Sequence, residues 1–336
     1  MARREGEGEG DDGFVLLTVL VVIVLFVGLA ASLAVKSRLL AMQAANRGVA
    51  TRAQARVDGA ALFVADALRP VPRRPLDAEA VLAAATAGST GANAPAPALP
   101  APLPLPVDGS PVVCRLSDDG TRLLVRVVDQ GGLVDLNGAP VAMLRAVFAA
   151  AGLDGQIALR LADEVADFRD PDDDPQANGV GERAQYAQKG LPWGPRNGAF
   201  GDVGEIAQLP SADPAALARI LPLLTVWNPR AGVDFTAMDV AARARLAADA
   251  ARQPDLARWQ LASERGRFSV EIRLIDPRGV AKAARGALVG FDGDTPGELR
   301  VQRWWRPLSQ PSSGETEGND APVCGSLRRV LDIGGR

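Results

Sequence analysis

Apolar residues run from Phe14 to Val35, interrupted only by Thr18, Gly28 and Ser32. At 1.5 Å rise per residue this stretch makes a helix of about 33 Å, enough to cross a bilayer core. It is longer than the apolar part of a cleaved secretory signal, and no small-residue cleavage site with a polar exit follows it. No proline occurs from Lys36 to Leu68, where Ala, Arg, Gln and Leu dominate, all good helix formers. Met42, Val49, Ala53, Val57, Ala60, Val64 and Leu68 recur at three-, four- and seven-residue steps, and Pro70 and Pro72 close the pattern. The spacing predicts one helix of about 55 residues. Its first half is apolar all round and its second half is amphipathic.

After the helix the pattern changes three times. Residues 70–111 are proline- and alanine-rich, with the run Pro95 to Pro106 reading as a polyproline-like spacer and a short helix expected at Asp77–Ala87. A hairpin follows, Val112–Leu116 and Thr121–Asp129 around Ser117–Gly120, then a third extended piece at Gly131–Asn137. From Ala139 to about Val226 the period is helical. Helices are expected at Val141–Ala151, Ile157–Phe168 and Ala215–Leu224, with a capped turn opened by Asp202-Val-Gly-Glu205. Further helices are expected at Ala237–Arg252 and Asp255–Glu264. Strands then return at Phe268–Ile275, Val280–Phe291 and Leu299–Arg306, the first two joined by the Asp276–Gly279 turn. Long helix, strands, helices and strands again is the order of an α+β fold: a helix packed on an antiparallel sheet, with a helical domain inserted into it.

Composition narrows the chemistry. The 336 residues include no histidine and two cysteines. Histidine-dependent catalysis, His-ligated metals, Cys₄ zinc and iron–sulfur clusters are thereby excluded. Net charge is −3, and no basic excess points to nucleic acid. Cys114, in the first strand, and Cys324, in the tail, read either as two buried thiols or, in an exported chain, as one long-range disulfide. The acidic residues Asp170, Asp172, Asp173, Asp174 and Glu182 gather in a Pro/Gly-punctuated loop. Clustered oxygen ligands suit calcium, while a solvated acidic loop is the plainer reading; the spacing is not that of an EF-hand. A catalytic carboxylate pair needs two acids in different environments, which an exposed loop does not offer. Glu164 and Asp167 read as an exposed helix face. Of the adjacent Trp304 and Trp305, one is expected in the core and the other at an interface.

The junction ahead of the helix carries a resemblance. Gly13 followed by Phe14, with charged residues upstream, resembles a prepilin peptidase site, which implies cleavage between them and N-methylation of Phe14. Pilins commonly carry glutamate at the fifth mature position, and here that position is Thr18. A buried glutamate is costly unless paired with a neighbouring subunit's ammonium, so a subunit lacking it suits the end of a filament. Lack of this glutamate characterises the type II secretion minor pseudopilin K, or GspK, family. Further segments resemble that family in order. They are Gly132-Leu-Val-Asp-Leu-Asn137; Asp170-Pro-Asp-Asp-Asp174 with Gly181-Glu182 and Tyr186; Pro195–Phe200 with Val203, Glu205 and Ile206; Val233–Ala237 after Trp227-Asn228; and Val301–Arg306.

The resemblance implies a pilin-like fold divided as follows. Residues 1–13 form the leader, 14–35 the membrane or filament-core helix, 36–69 its amphipathic continuation and 70–111 the linker. Residues 112–138 begin the sheet, 139–232 form the inserted helical domain, 233–306 complete the pilin-like domain and 307–336 form the tail. It also implies structural calcium, with Asp170, Asp172 and Glu182 as ligands and Asp173 and Asp174 secondary. The expected place is the inner membrane, single-pass, with the N-terminus cytoplasmic and the globular domain periplasmic. The Lys/Arg count, with Lys36 and Arg38 after the span, weakly favours the reverse. In the periplasm a Cys114–Cys324 disulfide would pin tail to sheet. The implied role is non-enzymatic: a filament-tip subunit that works with minor pseudopilins I and J, prepilin peptidase and inner-membrane lipid. The alternatives are a type IV pilus minor pilin and a membrane-anchored periplasmic binding protein or hydrolase using the acidic loop.

Overall fold

The computed structural model describes residues 11–69, 105–116, 120–176, 181–239, 242–243, 246, 254–291, 299–307 and 322–333. The first ten leader residues, most of the linker with the helix expected at 77–87, the turn residues 117–119, most of the helix expected at 237–252, and residues 308–321 lie outside the described residues. The chain divides into two units, residues 1–55 and 56–336.

Helix α1 runs from Asp11 to Ala67. From Phe14 to Val49 its apolar side chains are exposed, Phe14 at 71% and Leu25 at 67%, over a stretch whose mean hydropathy reaches 3.2, while Ala53 is buried. Met42 and Val49, expected on the packed stripe, are exposed too. In the second unit Val57, Ala60, Val64 and Leu68 are fully buried, as their spacing predicts, and Ala61 joins them.

Among the described residues five strands form one antiparallel sheet: β1 (Val112–Arg115), β2 (Arg122–Asp129), β5 (Arg267–Ile275), β6 (Ala281–Phe291) and β7 (Leu299–Trp305), in that spatial order. Alternation buries Leu123, Val125 and Val127 of β2 with Phe268, Val270, Ile272 and Leu274 of β5. The β5–β6 turn is built by Asp276, whose carboxylate accepts the N–H groups of Arg278 and Val280 (2.9 and 2.8 Å), with Gly279 at φ +81°.

Strand β2 pairs along its whole length with β5, from Arg122↔Ile275 to Asp129↔Phe268. Residues 130–266 therefore leave and re-enter the sheet at one end of two adjacent strands. They contain α2 (Val141–Ala150), α3 (Gly155–Arg169), α4 (Arg183–Gln188) and α5 (Pro214–Ile220), and their own core. Leu144, Val147, Phe148, Leu161, Val165 and Phe168 are at its centre, and Phe168 stacks on Phe200 at 4.3 Å. Asp154 and Asp213 cap α3 and α5 through the N–H groups two and three residues on.

Several local expectations change. The extended piece at Gly131–Asn137 becomes a 3-10 turn, Gln130–Gly132, and a short strand β3, Val134–Asp135, parallel to β4 (Leu224–Thr225). The helix expected at Asp255–Glu264 shortens to a 3-10 turn, Pro254–Trp259. The chain is diverted there because Val233 exchanges backbone hydrogen bonds with Trp259 and Leu261 (both 3.0 Å). The tail holds a helix, α6 (Pro322–Ile333), with Val323, Cys324, Leu327 and Leu331 buried. Neither tryptophan of β7 is in the core. Trp304 is 41% exposed beneath the Arg285 guanidinium, and half-buried Trp305 lies where a side chain on Gly286 would have to be.

Candidate functional site

The acidic loop begins where α3 ends. Asp170 precedes Pro171, which disfavours helical geometry, and its backbone is extended (φ −80°, ψ 160°). The last helical residue, Arg169, donates to the carbonyls of Leu136 and Ala139 (2.6 and 2.8 Å). Asp135, one residue upstream of Leu136, accepts the N–H groups of Asn137, Gly138 and Asn228 at 2.7–2.8 Å. Asn137 in turn pairs with the backbone of Phe200 through both its amide nitrogen and oxygen (3.1 and 2.7 Å). Asn197, in the left-handed region at φ 50°, donates to the Asp172 carbonyl and the Asp173 carboxylate, both at 3.1 Å. Three separate motif segments, 132–137, 170–174 and 195–200, thus meet around the loop.

The acids that matter most come from α3. Asp163, Glu164 and Asp167 are fully buried, which overturns the reading of Glu164 and Asp167 as an exposed face. Asp163 is held by Arg145 through Nε at 3.2 Å and a shorter contact from Nη2. Glu164 accepts the N–H and hydroxyl of Ser211 (2.9 and 2.6 Å), yet burial still raises its pKa to about 6. Asp167 accepts the Gln176 N–H at 3.0 Å through one oxygen, and its other oxygen is buried without a hydrogen-bond partner. Burial first, and then Asp170 and Asp163, raise its pKa to about 6. The sequence signal for this burial was their interleaving with Leu161, Val165 and Phe168. Ser211, the partner of Glu164, is remote in sequence and gives none.

Of the expected ligands, Glu182 is buried at 4% exposure with neither carboxylate oxygen hydrogen-bonded. Burial, then the charges of Asp167, Asp170, Asp173 and Asp172, push its pKa up to about 7. It is therefore not in the solvated environment expected of an exposed loop. Asp170 is half-buried, with Oδ1 unpartnered and its pKa raised by burial and by Asp172. Asp172, Asp173 and Asp174 are exposed, and Asp172 spends one oxygen on the Asp174 N–H at 3.0 Å. Beneath them the Tyr186 hydroxyl is buried without a partner, its pKa raised by burial and by Glu164, Asp167 and Glu182. Gly181 is required here, because a Cβ at this position would fall on the Asp167 carboxylate.

Asp167, Asp170 and Glu182 therefore present orphaned carboxylate oxygens that repel one another, a donor set that fits a hard, oxygen-seeking cation. Among the described residues no three acidic groups are drawn together tightly enough to enclose an ion as they stand, and residues 177–180 lie outside the description. Cys114 and Cys324 are joined in a disulfide, with Cα atoms 5.1 Å apart.

Comparison with known proteins falls on this block. The family model described as Type II secretion system (T2SS), protein K matches residues 124–229. The Type II secretion system protein K of Pseudomonas aeruginosa is 32% identical over 117 residues, 32% of this chain and 35% of that protein. The chain thus matches about a third of that relative's length. A chain of the crystal structure of the GspK-GspI-GspJ complex from enterotoxigenic Escherichia coli is 18% identical, with a TM-score of 0.46, over 56% of this chain and 81% of that one. Residues 124–229, which contain the helices and the acidic loop just described, are thus similar to the type II secretion system protein K family.

Proposed function

We propose that the chain is a minor pseudopilin at the tip of a type II secretion pseudopilus. There it helps start filament assembly and protein export across the outer membrane, in complex with minor pseudopilins I and J. One observation carries the reading: a protein K block is inserted between two paired strands of a sheet domain whose N-terminal helix is continuous with an apolar span. The span would sit in the inner membrane and then in the filament core, N-terminus in the cytoplasm and globular domain in the periplasm. Prepilin peptidase would cleave between Gly13 and Phe14 and methylate Phe14.

Thr18 supports the terminal position. Its hydroxyl donates to the Phe14 carbonyl at 2.9 Å, so the side chain is satisfied within its own helix and calls for no ammonium from a neighbour. A subunit that forms no such intersubunit pair adds least to filament growth above it and fits at the end. The helical insert then stands as the terminal cap, and the role is structural with no catalysis.

The acidic loop would hold a calcium ion, with Asp167, Asp170 and Glu182 as the carboxylates left without partners. The ion would supply charge neutralisation, fixing the loop against α3. Without it, the loop relies on Asn197 and on partial protonation of Glu182.

The test is the N-terminal mass of the protein recovered from membranes with and without prepilin peptidase. A chain starting at N-methylated Phe14, produced only with the peptidase, is the expected result. An intact Met1 in both strains would overturn it and make the helix an ordinary anchor.

A further inference from the structure

A cleft of about 380 Å³ opens where the insert rejoins the sheet. Its walls carry three arginines, Arg230, Arg265 and Arg267, against one acid, Glu264, with the Trp227 indole beside them. Arg267 donates to the Trp227 carbonyl (3.1 Å), and Arg230 donates to the Ala262 carbonyl (2.6 Å) with Glu264 4.0 Å away. Each guanidinium has five donors, so both keep capacity in hand. The guanidinium of Arg265 donates to no group among the described residues.

The backbone of Arg265 is in the left-handed region at φ 51°, a conformation that strains a non-glycine residue. Its N–H is fixed there by the Ser263 hydroxyl at 2.9 Å, and Ser263 is anchored by the Asp129 carboxylate at 2.9 Å. Gly266, which would take this conformation freely, stands at the next position, yet the left-handed residue is Arg265. The charge of Arg265 is felt by the buried Asp129 carboxylate, but its guanidinium makes no hydrogen bond among the described residues; held by a strained backbone beside two others and an aromatic face, it is arranged to receive carboxylates with an apolar flank.

We propose that this cleft binds an acidic segment of a partner polypeptide, its carboxylates on Arg265, Arg230 and Arg267 and an apolar neighbour against Trp227. The volume is at the small end of ligand pockets (~300–1,000 Å³), which suits a short extended stretch with one or two side chains inserted. The lining comes from both ends of the insert and from the sheet, so an occupant would brace one against the other. The proposal stands on the lining alone and does not depend on the pseudopilin reading.

The experiment is fluorescence anisotropy of the full chain in detergent micelles, using a fluorescein-labelled peptide of sequence acetyl-Gly-Glu-Phe-Asp-Glu-Gly-amide. The same peptide with Gln and Asn for Glu and Asp is the control. Saturable binding of the acidic peptide is expected, at least tenfold tighter than the control and weakened by salt. Arg265→Gln should lower affinity at least tenfold. Arg265→Gly should do the same while raising the thermal midpoint, since it relieves the backbone strain as it removes the guanidinium. That pairing separates a binding role from a folding one. Equal binding of both peptides, unchanged affinity in Arg265→Gly, or displacement by inorganic phosphate at concentrations equal to the peptide's would each overturn the proposal.

Discussion

Asp58, near the end of the long helix, receives both forks of the Arg285 guanidinium from β6, Nε at 2.5 Å and Nη2 at 2.9 Å. The pair joins residues 227 positions apart, and the same guanidinium lies over the Trp304 ring at 5.3 Å. Hydrogen bonding to Asp58 raises the Arg285 pKa further, so the charge is present at every working pH. The two side chains are 28% and 37% exposed, which screens their attraction well below that of a buried pair. Asp58→Ala is expected to destabilise the sheet domain by about 1 kcal/mol in denaturant unfolding of the full chain. Arg285→Lys should recover little of that, because an ammonium keeps the charge but neither the fork nor the stack. Full stability in Arg285→Lys would mean that charge alone fastens the helix.

Gly181 and Asp167 make a second pairing whose disruption has a definite sign. The space a Cβ would need at Gly181 is taken by the Asp167 carboxylate, itself on a fully buried helix face. Gly181→Ala is expected to cost about 1–3 kcal/mol, as overpacking does, and to loosen the acidic loop. Hydrogen exchange should localise the loss to α3 and α4 and leave β5 and β6 protected. Uniform loss across the sheet would contradict the independence of the insert's core.

The buried acids set the direction of the pH dependence. Their reference values are 4.5 for glutamate and 3.8 for aspartate, whereas in the fold Glu182 is raised to about 7, and Glu164 and Asp167 to about 6. Between those limits the folded state holds protons that the unfolded chain releases. The stability they contribute is complete below about pH 4 and is lost as pH rises through 6 to 7. With chelator present, the thermal midpoint should therefore be higher at pH 5 than at pH 7.5, and Glu182→Gln should flatten the difference. Millimolar calcium should raise the midpoint more at pH 7.5 than at pH 5, since ligands bind as carboxylates. A calcium effect that is absent at pH 7.5 would remove the ion from the site.

What could be read from the chain followed the two periodicities. Val57, Ala60, Val64 and Leu68 are buried as their spacing requires, and the strands of the sheet lie within a residue or two of where alternation put them. Long-range competition was not legible. The pairing of Val233 with Trp259 and Leu261 shortened a helix that local propensity favoured. Residues 307–336 read as tail, although Val323, Cys324, Leu327 and Leu331 stand at the spacing of one helix face in α6. At the acidic loop, residue type singles out Glu182, which the fold buries with neither carboxylate oxygen hydrogen-bonded. The close approach of Gly181 to the Asp167 carboxylate joins residues that no periodicity links.

The C-terminal helix supplies the last prediction. Cys114 is in the edge strand β1 and Cys324 in α6, both fully buried, and Arg328 donates to the Arg115 carbonyl at 2.6 Å across the same contact. The cystine closes a loop over a sequence separation of 210 residues. In the chain-entropy view, so long a loop makes the cross-link worth about 4–5 kcal/mol, through the unfolded chain it restrains. Reduction is therefore expected to lower the thermal midpoint by on the order of 10 °C. It should leave the far-ultraviolet circular dichroism at 20 °C nearly unchanged, since Val323, Leu327, Leu331 and Arg328 still hold α6 on the fold. The two readouts distinguish the sources of stability: a lost helical signal would mean the cystine itself docks α6, whereas an unchanged midpoint would mean that packing alone holds it. Only a lowered midpoint with an intact native spectrum places the contribution of the cystine in the unfolded state.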